Sequence, residues 1–85
     1  MAEKTADEVA KLFTNAGDSV TVINGNKEAR QTDAEWKEEL QRNVDHLELI
    51  KAYKKVDGTT SIWGSENFTA QDAAVTAGKN KIAAL

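Results

Sequence analysis

The stretch TDAEWKEELQRNVDHLELIKAYKKV, residues 32–56, decides the fold, because it has the pattern of one long amphipathic helix. Thr32 is followed three residues later by Glu35, and this spacing is typical of a capping box at a helix start. Acidic residues crowd the first turns and lysines the last turns, which complements the helix dipole. The pattern predicts a central helix about 36 Å long.

Two faces of this predicted helix are apolar. On a helical wheel one core-facing stripe holds Trp36, Leu40, Val44, Leu47 and Ile50. A second group, Leu49, Tyr53 and Val56, falls on nearly the opposite side. Because a bare patch of that size is unusual on a monomer, we expect segment 59–68 to fold back over it, with helix 6–16 on the first stripe. The rival hypothesis is that a second copy or a partner covers the second group.

The N-terminal part predicts a shorter helix over residues 6–16. Thr5 and Glu8 form a second capping box, and apolar side chains then recur at helical spacing. Gly17 stands where a left-handed residue commonly ends a helix.

A minor β element is predicted near residues 19–31. Residues 19–23, SVTVI, alternate and are rich in β-branched side chains, which suits a strand. The Asn24-Gly25 pair that follows is a strong hairpin-turn signal. Residues 26–31 are nearly all polar, so two interpretations compete: a returning strand, or a solvated loop after a single strand.

The C-terminal part predicts an extended piece and a third helix. Gly58 is suited to a left-handed position after the central helix, residues 59–63 favour an extended conformation, and Gly64-Ser65 favours a turn. Thr69 is the predicted N-cap of a helix over residues 70–83. Gly78 lies inside that range, so we expect the helix to break or fray there.

Together these patterns predict a single domain, residues 1–85, that is mainly α with a minor β element and three helices around a long central one. The chain has a net charge of −3 and no cysteine, which argues against a phosphate-driven grip on nucleic acid and against thiolate metal sites. It has no apolar run long enough to span a membrane. We therefore expect no nucleic-acid partner and no membrane association.

Few residues suggest chemistry. His46 is the only histidine, and one histidine without suitably placed carboxylates does not form a metal site. Asn43 falls within the apolar stripe, where its amide either fixes a loop backbone, such as residues 64–67, or contacts a ligand. We predict no catalytic centre, no metal and no cofactor. The alternative is a small ligand-binding or enzymatic domain that uses Asn43, His46 and Tyr53.

Small side chains line the predicted third helix. Ala70, Ala73, Ala74 and Ala77 recur on one side, where they serve internal packing, helix propensity or a helix–helix contact between subunits. The candidate interaction face combines exposed-side apolar residues of the second and third helices and the connection between them: Leu49, Tyr53, Val56, Trp63, Ala73 and Ala77.

Several segments between residues 42 and 79 resemble a known group of proteins, which suggests an origin for the chain. The segments RNVDHLELIKAY at 42–53, SENFT at 65–69 and AAVTAGK at 73–79, with Trp63 between the first two, resemble small accessory proteins encoded by tailed phages, marine cyanophages among them. The resemblance covers about half of the chain and implies a non-enzymatic phage accessory protein. Such a protein acts through contacts with itself or a host protein, in the virion or in the cytoplasm of an infected cell.

Overall fold

The computed structural model describes residues 3–64 and 66–85, and within these ranges the chain forms three helices. They are α1 (Ala6–Asn24), α2 (Asp33–Lys51) and α3 (Thr69–Ala83), and each contacts the other two. Lys51 at the end of α2 pairs with Asp72 near the start of α3, whereas Lys81 near the end of α3 reaches the end of α1. Helix α2 therefore runs antiparallel to α1 and α3.

The start of α2 confirms the predicted capping box. The Thr32 backbone N–H donates to Glu35 Oε1 at 2.8 Å, and the Glu35 N–H donates to Thr32 Oγ1 at 3.1 Å. The predicted end at Val56 is wrong, because the helix stops at Lys51. Helix α2 has 19 residues, as many as α1, so it is not a long central helix.

The physical reason for this early end lies in the following loop. After Ala52, the Tyr53 N–H donates to the Ile50 carbonyl and the chain turns back on itself. Lys54 then forms an isolated antiparallel bridge with Ser61, and this is the one β pairing among the described residues. These backbone hydrogen bonds compete with those of the last predicted helical turn. A helical wheel of residues 32–56 does not show them.

The observed bounds of α1 contradict two predictions, the helix end at Gly17 and the strand over residues 19–23. It passes through Gly17 to Asn24, so residues 19–23 are helical and the predicted strand is wrong. Its buried positions, Ala16, Ser19 and Ile23, have the spacing of one helical face. Burial of this face outweighs the β propensity of the intervening valines, since propensity is a weak preference that tertiary packing overrides.

The hairpin prediction fails with that strand. Residues 25–32 form the connection between α1 and α2 and contain no strand, so of the two interpretations of 26–31 the loop is the observed one. Gln31 ties this loop to α2, because its Nε2 donates to Glu39 Oε2 at 2.6 Å.

Residues 57–60 form a tight turn around Gly58. The glycine is left-handed as predicted, but it does not end α2, whose C-cap is Ala52. Gly58 has φ of 76°, the one positive φ among residues 3–64 and 66–85. The Asp57 carboxylate accepts bonds from the Thr60 hydroxyl and from the backbone N–H groups of Thr59 and Thr60. These bonds, chiefly the one from the Thr60 hydroxyl, hold the pKa of Asp57 well below its usual range.

The core confirms the predicted stripe on α2. Trp36, Leu40, Val44, Leu47 and Ile50 are all buried. Helix α1 adds Ala16 and Ile23, and α3 adds Ala74, so the core lies where the three helices meet.

Helix α3 begins one residue earlier than predicted and is not capped by Thr69. Thr69 is its first residue, and Phe68 occupies the N-cap position without a side-chain bond. The Asn67 side chain accepts the Thr69 N–H at 2.9 Å instead. The turn predicted at Gly64–Ser65 includes a residue outside the described ranges.

Gly78 does not break α3. The helix continues to Ala83, and Gly78 is buried against α1 and α2. A Cβ at this position would lie 2.5 Å from Val44 Cγ2 and 3.3 Å from Ile23 Cγ2. The glycine therefore permits a close approach of the three helices that any side chain would obstruct.

Candidate interaction surface

The six residues of the predicted interaction face divide into two groups. Leu49 is 56% exposed and Val56 is 55% exposed, and Ala73 is also exposed. Tyr53, Trp63 and Ala77 are half-buried and pack against the core. The first group is available to a partner, whereas the second contributes mainly to internal packing.

Trp63 shows how the connection between α2 and α3 folds back. Its Nε1 donates to the Ile50 carbonyl at 2.7 Å, at the end of α2. Its ring centroid lies 4.7 Å from that of Phe68 and 6.2 Å from that of Phe13 on α1. The segment thus returns over the end of α2 and the side of α1, but it leaves Leu49 and Val56 open.

Residues before α1 cover part of the same loop. The Lys4 ammonium lies 5.4 Å from the centre of the Tyr53 ring, a distance suited to a cation–π contact. The Val56 N–H donates to Glu3 Oε1 at 3.2 Å. Tyr53 is therefore engaged within the chain, whereas Val56 remains 55% exposed.

The other two residues of the alternative function also have partners inside the fold. Asn43 Nδ2 donates to the Glu39 carbonyl at 2.8 Å, one turn earlier in the same helix. The predicted hydrogen bond to loop 64–67 is not found with residues 64, 66 and 67, which are the described part of that loop. His46 Nδ1 lies 2.8 Å from Ser19 Oγ and joins α2 to α1. Both side chains are half-buried, and their contacts are those of structural residues.

A groove of about 260 Å³ lies between α2 and α3. Its apolar lining comes from Leu47, Phe68 and Val75. Lys51 and Asp72 also line it and form an ion pair at 2.7 Å, with both side chains about half exposed. The groove combines apolar walls with charged groups, as small binding sites commonly do.

Gln71 is the unusual residue of this groove. It is 6% exposed, and its Oε1 has no hydrogen-bond partner among residues 3–64 and 66–85. A buried carbonyl oxygen without a donor costs about 1–3 kcal/mol, and few such groups occur in native structures. No predicted site includes Gln71. Gln71, Ala74 and Gly78 share one helical face, so a polar residue in that row was the available signal.

Lys81 was missed as well. Its ammonium donates to the Ile23 and Gly25 carbonyls at the end of α1, the latter at 2.9 Å. Helix α1 has no basic residue in its own last turn, so α3 supplies the positive charge that its C-terminus favours. A contact across 56 residues leaves no local sequence signal.

The two capping boxes determine the electrostatics of the helix starts. Backbone and side-chain hydrogen bonds from Thr5 lower the pKa of Glu8, and those from Thr32 lower the pKa of Glu35. Because each carboxyl has a lower pKa in the folded chain, its contribution to stability is present near neutral pH. That contribution is lost as the pH falls through the carboxyl range.

Two further properties concern membranes and metal ions. Among residues 3–64 and 66–85, no helix combines the length and apolar character needed to cross a bilayer. The same residues contain no group of three or more histidine and carboxylate side chains arranged to hold a metal ion.

In comparisons with known proteins, no family model matches the chain, and neither the curated proteins nor the solved structures gave a significant match.

Proposed function

We propose that this chain is a non-enzymatic phage accessory protein that acts through protein–protein contacts, in the virion or in the infected cell. The observation that carries the contact surface is the exposure of Leu49 and Val56, each more than half accessible beside the C-terminal end of α2. Exposed apolar side chains contribute to binding when a partner removes them from water. The phage origin comes from the resemblance in the second half of the chain.

The alternative, a ligand-binding or enzymatic domain, has weaker support. Asn43 and His46 have their hydrogen bonds within the bundle, and Tyr53 lies under Lys4. A side chain that holds the fold in this way has to leave its partner before it engages a ligand. These contacts favour structural roles for the three residues.

The test is affinity capture from infected-cell extract with the full chain as bait. We expect a stoichiometric protein partner to be retained by the wild type and lost from Leu49→Glu, because a carboxylate in an apolar interface is desolvated without compensation. Light scattering of the purified chain shows whether the partner is a second copy.

Ala29→Glu is the matched control, since Ala29 is exposed in the loop between α1 and α2 and receives the same change of charge. A partner lost equally from both variants would place the contact elsewhere. A small molecule or metal ion retained in native mass spectrometry, without any protein partner, would support the alternative instead.

A further inference from the structure

We propose that the cavity between the segment before α1 and the loop after α2 binds an acidic peptide segment of a partner protein. This inference rests on the proposed function and deepens it, because it names the chemistry by which the partner is recognised. Three features of this basic cavity carry it: exposed lysines, a carboxylate of this chain that is already bound there, and an exposed apolar side chain.

The charged lining of the basic cavity has the opposite sign to the chain as a whole. The cavity has a volume of about 370 Å³, and its charged side chains are those of Lys4, Lys54, Lys55 and Glu3. Three positive charges thus stand against one negative charge, in a chain whose net charge is −3. Such a local reversal of sign attracts an acidic partner.

Lys54 and Lys55 are accessible to an incoming anion. Both are exposed, and neither forms an ion pair within the part of the chain that the structure describes. Lys51 and Lys79, by contrast, each pair with a carboxylate between α2 and α3. The nearby Asp57 carboxylate accepts hydrogen bonds within its own turn instead. The two cavity lysines therefore remain available for a partner's carboxylates.

A carboxylate of this chain already lies in the cavity. Glu3 Oε1 accepts a hydrogen bond from the Val56 backbone N–H at 3.2 Å, and both residues line the cavity. The contact shows that a carboxylate fits against this stretch of backbone. Because the hydrogen bond is exposed to solvent, its net contribution is small, and a partner's carboxylate can replace it.

The apolar lining favours a peptide over other polyanions. Val56 is 55% exposed, and Tyr53 and Ile62 also line the cavity. An apolar side chain of a peptide gains free energy by covering Val56, whereas a phosphate backbone does not. The negative charge of the whole chain also opposes a long polyanion such as nucleic acid. We therefore expect the partner segment to carry an apolar residue between carboxylates.

The test is an NMR titration of the full-length wild type with three acetylated pentapeptide amides. The first has a central leucine with two glutamates on each side, the second has glutamines in place of the glutamates, and the third has serine in place of leucine. We expect roughly millimolar binding of the first, with the largest shifts at residues 53–56. The second should bind at least about tenfold more weakly and the third about threefold more weakly. Equal binding of the first peptide and either of the others would overturn the proposal.

Charge reversal at the two cavity lysines separates recognition from folding. Lys54→Glu combined with Lys55→Glu should weaken binding of the first peptide by about tenfold or more. Because both side chains are exposed, the melting temperature should stay nearly unchanged. Lys37→Glu combined with Arg42→Glu is the matched control, since it makes the same change of net charge at exposed positions of α2. An equal loss of binding in both double variants would contradict a site at the cavity.

Removal of the resident carboxylate should have the opposite effect. Glu3→Ala releases the Val56 N–H and removes the negative charge from the lining, so the first peptide should bind several-fold more tightly. Asp7→Ala is the control, because it removes the same charge from an exposed position in the first turn of α1. Unchanged or weaker binding by Glu3→Ala would contradict the proposal.

The capture experiment distinguishes this inference from the proposed function. If the wild type and the double variant at Lys54 and Lys55 retain the same partner equally, the proposed function stands and the acidic-peptide site is wrong. If the peptides bind as expected but the wild type captures no protein, the chemistry of the cavity is supported and the proposed function fails. Capture of nucleic acid through these lysines, in place of a protein, would overturn the inference.

Discussion

Helices α1 and α3 run in the same direction against α2, and each carries a glycine in its interior, but the two glycines have different roles. A Cβ added at Gly17 in α1 would meet no atom of the described residues within 4 Å, whereas one at Gly78 in α3 would lie 2.5 Å from Val44 Cγ2. Both glycines stand where the sequence predicts a helix end or a break. The same residue is thus dispensable in one helix and required in the other, according to its neighbours.

The starts of α1 and α3 also differ, and here α1 has the stronger local interactions. Helix α1 begins with a complete capping box formed by Thr5 and Glu8. Helix α3 has no side-chain bond from its N-cap Phe68, and the edge-on contact of the Phe68 ring with Phe13, at 5.5 Å, joins its start to α1. Local chemistry defines the start of α1, and packing contributes more to the start of α3.

The largest expected effect is at Gly78. Gly78→Ala should lower the free energy of unfolding by about 1–3 kcal/mol, partly offset by up to about 1 kcal/mol of helix propensity. Val44 is buried and β-branched, so it has little freedom to move away. Thermal unfolding followed by circular dichroism measures the loss.

Val44→Ala provides the matched background, because it removes the methyl group that the new Cβ meets. In that background Gly78→Ala should become much less harmful. An equal loss in both backgrounds would show that the contact with Val44 is not the reason for the glycine.

A smaller effect is expected at the helix starts. Thr5→Ala should cost about 0.5–2 kcal/mol, because it removes the side-chain acceptor of the capping box. Thr69→Ala should cost less, since Thr69 is already inside α3 and caps nothing. Denaturant unfolding of the two variants compares them, with Thr5→Asp as the variant that retains a cap. Equal losses at Thr5 and Thr69 would contradict the difference between the two starts.

The smallest effect is expected at Gly17 and has the opposite sign. Gly17→Ala should stabilise the chain by about 0.4–1 kcal/mol, because the position is helical and open and alanine restricts the unfolded chain. For a domain of this size that corresponds to a rise in melting temperature of a few degrees. A lower melting temperature would mean that the added methyl group clashes with another segment, and the position would then not be open.

The interaction surface was predictable only in part. The helical wheel of residues 32–56 correctly gave the buried stripe from Trp36 to Ile50. It grouped Leu49 with Tyr53 and Val56 as one helical face, although the helix ends at Lys51 and the last two belong to a loop. Gln71, which lines the groove between α2 and α3, matched no motif, because a buried oxygen without a hydrogen bond is a property of its surroundings.

The sequence by itself determined the features whose causes lie within one helical turn. These are the starts of α1 and α2 at their capping boxes, the core stripe of α2 and the left-handed turn at Gly58. Such features depend on residues three or four apart, which a sequence displays directly.

The tertiary structure decided everything that depends on distant partners. It made residues 19–23 helical, because burying Ser19 and Ile23 beside α2 and α3 outweighs a weak strand propensity. It also let α3 continue through Gly78, because Val44 lies so close to this position that a side chain would clash with it. It also placed the ammonium of Lys81, on α3, against the last carbonyls of α1. These choices follow from burial and hydrogen bonding between segments far apart in the chain, which no local pattern encodes.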